Sequence, residues 1–489
     1  MIKGNIMAYL GIDLGTSGLR ALLVDADGTT IGTSEQHYDA VHPKSGWSEQ
    51  DPADWINALD AAIAALRQDY PAFAALRGIG VAGHMHGATL LDKDGAVLRP
   101  CILWNDTRAH AEAAQLDHTA GVRDLSGNIV FPGFTAPKLA WVAAHEPDIF
   151  ARTAKVLLPA AYLNYYLTGR YVADMSDSAG TSWLDVGARD WSEDLLAAGG
   201  MRRDQMPDLV EGSGAAGELR ADLAAAWGLN GTVTVAGGAG DNAAAACGIG
   251  AVSEGHGFVS LGTSGVVLAA RDGYRPAPET ALHTFCHAIP NRWYQMGVML
   301  SATDSLNWLG RITGQKTRDL TAALGEALQA PGDLRFLPYL SGERTPHNDA
   351  DIRGSFTGIG AETTREHMSR AVLEGVAFGL RDSFEALRAT GANLDHLIAI
   401  GGGTGSRYWL TMIATVLGVP LSLPRGGEFG AALGAARLGM AAALGGDAEA
   451  LMTPPALGEA IMPDDALKPA FDAAYQQFRA AYAGIKAVQ

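Results

Sequence analysis

Leu-Gly-Thr-Ser-Gly, at residues 14–18, is repeated without change at residues 261–265. The first copy lies between two short apolar runs, Ala8–Ile12 and Ala21–Val24, and the second copy has similar flanks. Each copy therefore predicts a strand, a tight glycine turn and a second strand. Because each copy opens one half of the sequence, the repeat indicates a duplicated domain rather than a solenoid or the chance reuse of a hairpin.

The rest of the sequence alternates short apolar runs with helical patterns. An apolar stripe over residues 55–66 predicts a helix, and Ile79–Ala82 predicts a buried strand. A second stripe, over residues 373–387, precedes the strand Leu397–Ile400. This alternation predicts an α/β fold with ligands at the carboxyl ends of the strands. We place a boundary near Val252, which gives an N-terminal lobe (1–252), a C-terminal lobe (253–489) and a cleft between them.

Composition restricts the classes of ligand. The chain has 489 residues, of which 48% are hydrophobic and 18% charged, as in globular proteins. Its formal net charge of −17 argues against binding to nucleic acid or to an anionic membrane surface. A polyphosphate ligand would therefore have to be held locally, by backbone N–H groups and a metal ion.

The cysteines and the N-terminus give information about the compartment. Cys101, Cys247 and Cys286 have the spacing of neither a disulfide framework nor a zinc site. The N-terminus lacks the apolar core of a signal peptide, and no stretch is apolar and long enough to span a bilayer. We therefore expect a cytoplasmic protein. The sequence leaves open the role of residues 1–6 and the oligomeric state, for which a homodimer is one alternative.

Asp13 follows the first predicted strand and precedes the turn that contains Gly15, Thr16 and Ser17. Backbone N–H groups of such a turn can cradle a phosphate, and a neighbouring carboxylate can hold Mg²⁺. For one copy alone, an ordinary turn is the alternative. Two copies on opposite lobes could clamp a triphosphate, although the second copy has Ser260 in place of a carboxylate.

Two further glycine-rich segments follow predicted strands. The strand Val233–Ala236 opens onto four residues rich in glycine, and Asp241 and Asn242 come next, at the start of a helical stretch. The alternative for Asp241 is a helix N-cap, but the glycines before it favour a catalytic carboxylate. Gly401–Gly403 could present a flat backbone surface to an adenosine, with a plain turn as the alternative.

His84, Met85 and His86 lie at the end of a strand in the first half. Two histidines at this spacing, with no third ligand in view, argue against a metal site. His86 could instead bond to sugar hydroxyls while Met85 packs on a carbon face, or it could be a structural histidine. Trp104 follows another strand and could stack on a sugar or fill core.

Taken together, these motifs resemble those of the FGGY family of carbohydrate kinases. Residues 13–17 and 261–265 are similar to its two phosphate segments, and Gly401–Gly403 with Ser406 is similar to its adenosine segment. Residues 354–374 match its C-terminal signature. Residues 133–145 match its N-terminal signature, where Ala144 replaces a usually polar residue. The resemblance extends over about residues 8–440.

Four segments resemble the xylulokinase branch of that family: residues 47–52, 85–87, 102–106 and 340–346. His84 stands where this branch often has Gln, and Thr415 where the family often has Asp. The resemblance implies two actin-like (ribonuclease H-like) ATPase lobes and ATP-dependent phosphorylation of D-xylulose in xylose catabolism. The alternatives are another FGGY kinase, acting on ribulose, a polyol or gluconate, and a non-catalytic actin-like nucleotide switch.

The resemblance also implies roles for individual residues. Asp241 would be the general base, and Asp13 would organise Mg²⁺ and the phosphates, with Asp241 near the metal. ATP and Mg²⁺ are the implied cofactors, and the lobes are expected to close around the substrates. The implied sugar contacts are Met85, His86, Trp104, Asp241 and Asn242. The implied ATP contacts are Gly15, Thr16, Ser17, Gly262, Thr263, Ser264, Gly401, Gly402 and Gly403.

Overall fold

A computed structural model describes residues 7–425 and 430–488, so residues 1–6 lie outside it. In the first half the strands are β1 (Ala8–Leu14), β2 (Gly18–Asp25), β3 (Thr30–His37), β4 (Glu49–Gln50), β5 (Leu76–Gly83), β6 (Thr89–Leu91), β7 (Cys101–Ile102), β8 (Lys155–Leu157), β9 (Val172–Asp174), β10 (Leu184–Asp185), β11 (Asp190–Trp191), β12 (Asp208–Val210), β13 (Ala215–Glu218), β14 (Thr234–Ala236) and β15 (Ala239–Gly240). The helices there are α1 (Pro52–Asp69), α2 (His110–Asp117), α3 (Val122–Ser126), α4 (Thr135–His145), α5 (Pro147–Arg152), α6 (Pro159–Thr168), α7 (Met175–Ser178), α8 (Glu193–Ala198), α9 (Ala221–Ala226) and α10 (Asp241–Ile249).

In the second half the strands are β16 (Gly257–Leu261), β17 (Gly265–Arg271), β18 (His283–Cys286), β19 (Trp293–Met299), β20 (Arg335–Leu337), β21 (Ser355–Thr357), β22 (Leu397–Ile400) and β23 (Leu421–Ser422). The helices there are α11 (Thr303–Thr313), α12 (Thr317–Ala322), α13 (Arg365–Ala389), α14 (Arg407–Leu417), α15 (Ala431–Leu444), α16 (Ala448–Leu451) and α17 (Lys468–Lys486).

The two central sheets share one strand order. The first contains β14-β5-β1-β2-β3, and the second contains β23-β22-β16-β17-β19 in the equivalent places. In each, the glycine turn joins an antiparallel hairpin, β1–β2 or β16–β17, and a parallel strand, β5 or β22, lies beside the hairpin's first strand. This common topology confirms the duplicated α/β fold that the repeated glycine turn predicts.

Local sequence accounts for the main elements near the first sheet and in the second half. Helix α1 begins after Asp51, whose side chain accepts the N–H of Ala53, and has Pro52 in its first turn, both usual signals for a helix start. The apolar stripe over residues 55–66 lies within α1, and the stripe over residues 373–387 lies within α13. Both helices turn these apolar faces into the core.

Helix α15 comes from the second half but packs on the first sheet, at backbone contact distance. A Cβ atom on Gly11 of β1 would overlap the carbonyl oxygen of Ala432, and one on Gly80 of β5 would overlap that of Ala435. Arg437 of the same helix donates hydrogen bonds to carbonyl oxygens at the C-terminal end of α10. The lobe boundary near Val252 stays a prediction. Helix α15, which lies after this boundary in sequence, packs on the sheet that lies before it.

The three cysteines are buried and free, with no disulfide among the residues described. This agrees with the expectation that they are not a disulfide framework. Within residues 7–425 and 430–488, no helix has both the length and the apolar character needed to cross a membrane.

The close approach of α15 to β5 gives a stability prediction. Gly80→Ala should lower the melting temperature, because the new methyl group would push the helix away from the sheet, and overpacking of this kind typically costs about 1–3 kcal/mol. Gly273→Ala is the matched control, since a Cβ at Gly273 meets no atom within 4 Å. Thermal unfolding of both variants tests this, and equal melting temperatures would contradict the backbone contact.

Candidate active site

Asp13 lies at the carboxyl end of β1 and Asp241 just beyond β15, and these two strands flank β5. Ala82 of β5 is paired on one side with Asp13 of β1 and on the other side with Ala239 of β15. Asp241 follows two residues after Ala239, as the first residue of α10. β1 and β15 are two inter-strand spacings apart, each of roughly 4.8 Å, and the register brings the two carboxylates to one edge of the sheet. This is the edge at which α/β sheets bind ligands.

Burial makes both carboxylic acids weaker acids than usual. Burial, together with the negative charge of Asp241, raises the pKa of Asp13 to about 7 against the opposing effect of Arg20. Burial also raises the pKa of Asp241 to about 6, against the opposing effect of hydrogen bonds from Asn242. Both residues are nevertheless only partly buried and so remain accessible from the site. Raised pKa values of this kind are common among groups that transfer protons.

These two carboxylates could hold the Mg²⁺ that the family resemblance implies. Neither forms an ion pair with a described residue, and the described ranges contain no cluster of three or more His, Cys, Asp or Glu side chains that could hold a metal ion. Mg²⁺ commonly takes one or two protein carboxylates and completes its shell with water and phosphate oxygens. Asp13 and Asp241 therefore fit a metal that is delivered with a polyphosphate, rather than a metal enclosed by protein ligands.

The first glycine turn is held in shape by hydrogen bonds. The N–H of Gly15 donates to the carbonyl of Gly18 at 2.9 Å, and the Tyr38 hydroxyl donates to the carbonyl of Gly15 at 2.7 Å. The indole N–H of Trp104 donates to the hydroxyl of Thr16 at 2.9 Å. Trp104 is 43% exposed, which excludes the alternative that it fills core. Its hydrogen bond joins it to the turn rather than to the residues around His86.

Asp241 is the first residue of α10 and not its N-cap, because Gly240 occupies the cap position. One carboxylate oxygen of Asp241 accepts the backbone N–H of Asn242 at 2.7 Å and its side-chain amide at 2.8 Å. Gly240 packs directly on Met85: a Cβ at this position would lie 2.8 Å from the Met85 Cγ. Met85 therefore lies against the residue that precedes Asp241, because glycine at this position allows close approach.

His86 is fixed in a left-handed conformation, with φ of 69°. Its carbonyl oxygen accepts hydrogen bonds from Lys138 Nζ at 2.7 Å and from the Thr135 hydroxyl at 3.2 Å. Burial lowers the pKa of the His86 ring to about 3, so the ring is neutral near pH 7. Its Nδ1 lies 2.7 Å from the Gly180 carbonyl and therefore carries the proton, which leaves Nε2 as an acceptor for a ligand hydroxyl.

His84 lies nearby but is enclosed in the core. Its ring packs edge-on against Trp55, with 5.6 Å between ring centroids, and burial lowers its pKa to about 3. Both ring nitrogens are buried, with no hydrogen-bond partner among the described residues. His84 and His86 therefore lie in different environments although only Met85 separates them.

Residues of the second half also reach the surroundings of His86, and the sequence did not single them out. The ring of Phe285 lies 6.2 Å from that of His86 between centroids, and the ring of Phe134, a first-half residue within the signature 133–145, lies at 4.4 Å. Arg344 donates a hydrogen bond to His283 Nε2 at 3.2 Å. Of the second-half residues, only Arg344 had a sequence signal, because it lies in the segment 340–346 that resembles the xylulokinase branch. The two β18 residues, His283 and Phe285, had none.

The second glycine turn packs on the start of α11. The backbone N–H and the hydroxyl of Thr303 both donate to the carbonyl of Gly262, at 3.0 and 2.7 Å. Beside it is a cavity of about 430 Å³, within the usual size range of ligand pockets. It is lined by Thr303, Leu306, Asn307, Thr317, Arg318, Thr321, Gly402, Gly403, Gly405, Ser406 and Trp409.

Two of the three predicted adenosine glycines, Gly402 and Gly403, thus line this cavity. Gly401 lies instead against the backbone of Leu261, where its φ of 93° requires glycine. The sequence missed Asn307 and Arg318, since nothing in their local pattern distinguishes them from ordinary helix surface residues.

Comparisons with known proteins agree with this arrangement. The sequence matches the N-terminal domain of the FGGY family of carbohydrate kinases over residues 8–248 and the C-terminal domain over residues 257–443. It is 46% identical to a xylulose kinase of Klebsiella pneumoniae over 461 residues, which cover 94% of this chain and 95% of the relative. It is 47% identical to a xylulose kinase of Escherichia coli K12 over 437 residues, or 89% of this chain and 90% of the relative.

A solved structure with a similar fold is a kinase of Brucella ovis, described as a "xyloylose kinase". It is 58% identical in sequence and superposes with a TM-score of 0.97, covering 99% of this chain and 100% of the other. Two-lobed, actin-like kinases therefore share the architecture described above.

The cavity beside the second glycine turn predicts a nucleotide contact. Arg318 lines it and forms no ion pair with a described residue, so Arg318→Ala should weaken ADP binding about 5- to 30-fold if its guanidinium bonds to the ligand. Arg311→Ala is the control, because Arg311 lies on the adjacent helix, outside the cavity lining, and pairs with Asp304. Calorimetric titration with ADP tests this, and equal affinities for both variants would remove Arg318 from the site.

Proposed function

The chain belongs to the FGGY family of carbohydrate kinases, and we propose that it transfers the γ-phosphate of ATP to D-xylulose, forming D-xylulose 5-phosphate. The observation that carries this proposal is the accessible carboxylate of Asp241, which follows a glycine packed on Met85 and faces the same edge of the sheet as Asp13. Relatives at 46% and 47% identity over most of their length are xylulose kinases. Because ATP is the donor, the proposed site of action is the cytoplasm.

Asp241 is the proposed general base. It accepts the proton of the terminal sugar hydroxyl while that oxygen attacks the γ-phosphorus, and the bond from that phosphorus to the bridging oxygen breaks as ADP leaves. A base is most effective when its pKa lies near the working pH, and burial raises the pKa of Asp241 to about 6. The hydrogen bonds from Asn242 fix one carboxylate oxygen and leave the other for the substrate.

Met85 and His86 are the proposed sugar contacts. Met85 offers an apolar surface to the carbon skeleton, and Nε2 of the neutral His86 accepts a hydrogen bond from a hydroxyl. Arg344 and His283 bring donors from the second half to the surroundings of His86. Because both halves contribute, the expected closure of the lobes around the sugar remains part of the proposal.

The two glycine turns are the proposed phosphate contacts, with the adenosine in the cavity beside the second turn. The net charge of −17 means that the overall field repels ATP, so backbone N–H groups must hold its phosphates at short range. When bound, Mg²⁺ neutralises phosphate charge, and Asp13 with Asp241 would hold it. In this proposal Asp13 acts on the Mg²⁺ and the phosphates of ATP, whereas Asp241 acts on both the Mg²⁺ and the sugar hydroxyl.

A substrate panel tests the proposed function. ADP release should be measured with D-xylulose, D-ribulose, glycerol and gluconate, and D-xylulose should give the highest kcat/KM. A higher value for another acceptor would assign the chain to a different branch of the family. Equal ATP hydrolysis with and without any sugar would favour the non-catalytic nucleotide switch.

Replacement of the proposed base gives a second prediction. Asp241→Asn keeps the shape and can still accept the N–H of Asn242, but it cannot take up the proton, so kcat should fall about 10²- to 10⁴-fold. ADP affinity and melting temperature should stay near their wild-type values, because the glycine turns are unchanged. Asp51→Asn, at the start of α1, is the control for a helix-start aspartate and should keep full activity. An Asp241→Asn enzyme with more than about a tenth of the wild-type kcat would contradict the role.

A further inference from the structure

A chain of hydrogen bonds links the segment before α7 to the backbone that carries Asp241. The Ser176 hydroxyl donates to a carboxylate oxygen of Asp174 and accepts the backbone N–H of Gly240 at 3.2 Å. Asp174 also accepts the backbone N–H of Ser176 at 2.6 Å. Both side chains are buried, with exposed fractions of 2% for Asp174 and 0% for Ser176. The contact joins residues 64 positions apart and ends on the residue that precedes Asp241.

We propose that Ser176, oriented by Asp174, is a positioning residue for the Asp241 carboxylate. This inference rests on the proposed function, in which Asp241 is the base. Gly240 has no side chain with which to fix its own orientation, and its peptide sets the direction in which α10 and the Asp241 side chain begin. A hydrogen bond to the Gly240 N–H therefore restrains the peptide plane from which the base projects.

The two-sided contact needs a hydroxyl. Its single hydrogen is committed to Asp174, so its lone pairs face the Gly240 N–H. One carboxylate oxygen of Asp174 accepts hydrogen bonds from both the hydroxyl and the backbone N–H of Ser176, which leaves the hydroxyl little freedom to rotate. Alanine at position 176 would remove both contacts and leave the oxygen's volume empty.

The glycine-rich segment 237–240 is also held at its other end, by hydrogen bonds from α6. The side-chain amide of Asn164 on α6 donates to the carbonyl oxygens of Ala236 and Gly237, at 3.1 and 2.8 Å. Asn164 thus fixes the beginning of the glycine run and Ser176 fixes its end. Because Asn164 is unaffected by a change at Ser176, loss of the serine hydroxyl should loosen the Asp241 end without unfolding the run.

An alternative is that Asp174 and Ser176 only stabilise the short helix α7. Asp174 is its N-cap, which is a structural role in itself. Ser178 offers a matched comparison, because it lies on the same helix and is fully buried, but its hydroxyl has no hydrogen-bond partner among the described residues. A structural role predicts similar effects of alanine at both serines, whereas a positioning role predicts a kinetic effect at Ser176 alone.

Steady-state kinetics with D-xylulose and ATP on the full chain provide the test. Ser176→Ala should lower kcat about 10- to 100-fold, as expected when a reacting group is slightly misplaced, with KM for ATP unchanged. Ser176→Thr, which keeps the hydroxyl, should restore most of the activity, and Ser178→Ala should behave as wild type. If Ser176→Ala does not fold, Ser176→Cys replaces it with the same expectation, because a thiol is a much weaker hydrogen-bonding group.

A double variant shows whether Ser176 acts through Asp241. In the Asp241→Asn background, Ser176→Ala should cause little further loss, because the group that it positions no longer takes the proton. Additive losses, or equal losses in Ser176→Ala and Ser178→Ala, would overturn the inference. Wild-type kcat in Ser176→Ala would also overturn it. Activity retained by Asp241→Asn alone would instead count against the base itself, so the two failures are distinguishable.

Discussion

The structure depends on a backbone-to-backbone contact between α15 and the first sheet. Glycines on both partners, Gly11 and Gly80 in the strands and Gly439 in the helix, let the main chains approach without intervening side chains. Such an interface has little tolerance, because protein interiors are close-packed and a single methyl group is felt. Arg437 ties the same helix to the C-terminal end of α10, whose first residue is Asp241. One helix therefore fixes both β1, which carries Asp13, and α10.

The two carboxylates make the site electrostatically demanding. Each is partly buried, so burial opposes the ionisation of both, and the charge of Asp241 also opposes that of Asp13. Neither acid has an ion-pair partner among the described residues, and the proposed Mg²⁺ would favour the ionised form of both. The neutral ring of His86, a proposed sugar contact, adds no charge to the site. With the proposed contacts, discrimination between sugars would depend on hydrogen-bond geometry and shape.

Much of this architecture could be predicted because its signals are local. The repeated glycine turn predicted both hairpins. The glycine-rich segment between a predicted strand and Asp241 predicted the start of a helix there. Contacts between distant segments had no such signal. His283 and Phe285 lie almost 200 positions from His86 in sequence, on a short strand with an ordinary composition. Trp104 shows the intermediate case: its position near the site was predictable, but its bond to Thr16 depends on tertiary packing.

The path of α15 also bears on how the protein is made. Protein domains generally fold as units, in order, as they leave the ribosome. Here the first sheet lacks one of its covering helices until the chain has been synthesised beyond Leu444. Until then, the faces of β1 and β5 that contain Gly11 and Gly80 are not covered by α15, and the core of the N-terminal half is incomplete. Because a helix from the second half completes the first half, the sheet edge that carries Asp13 and Asp241 assembles late in synthesis.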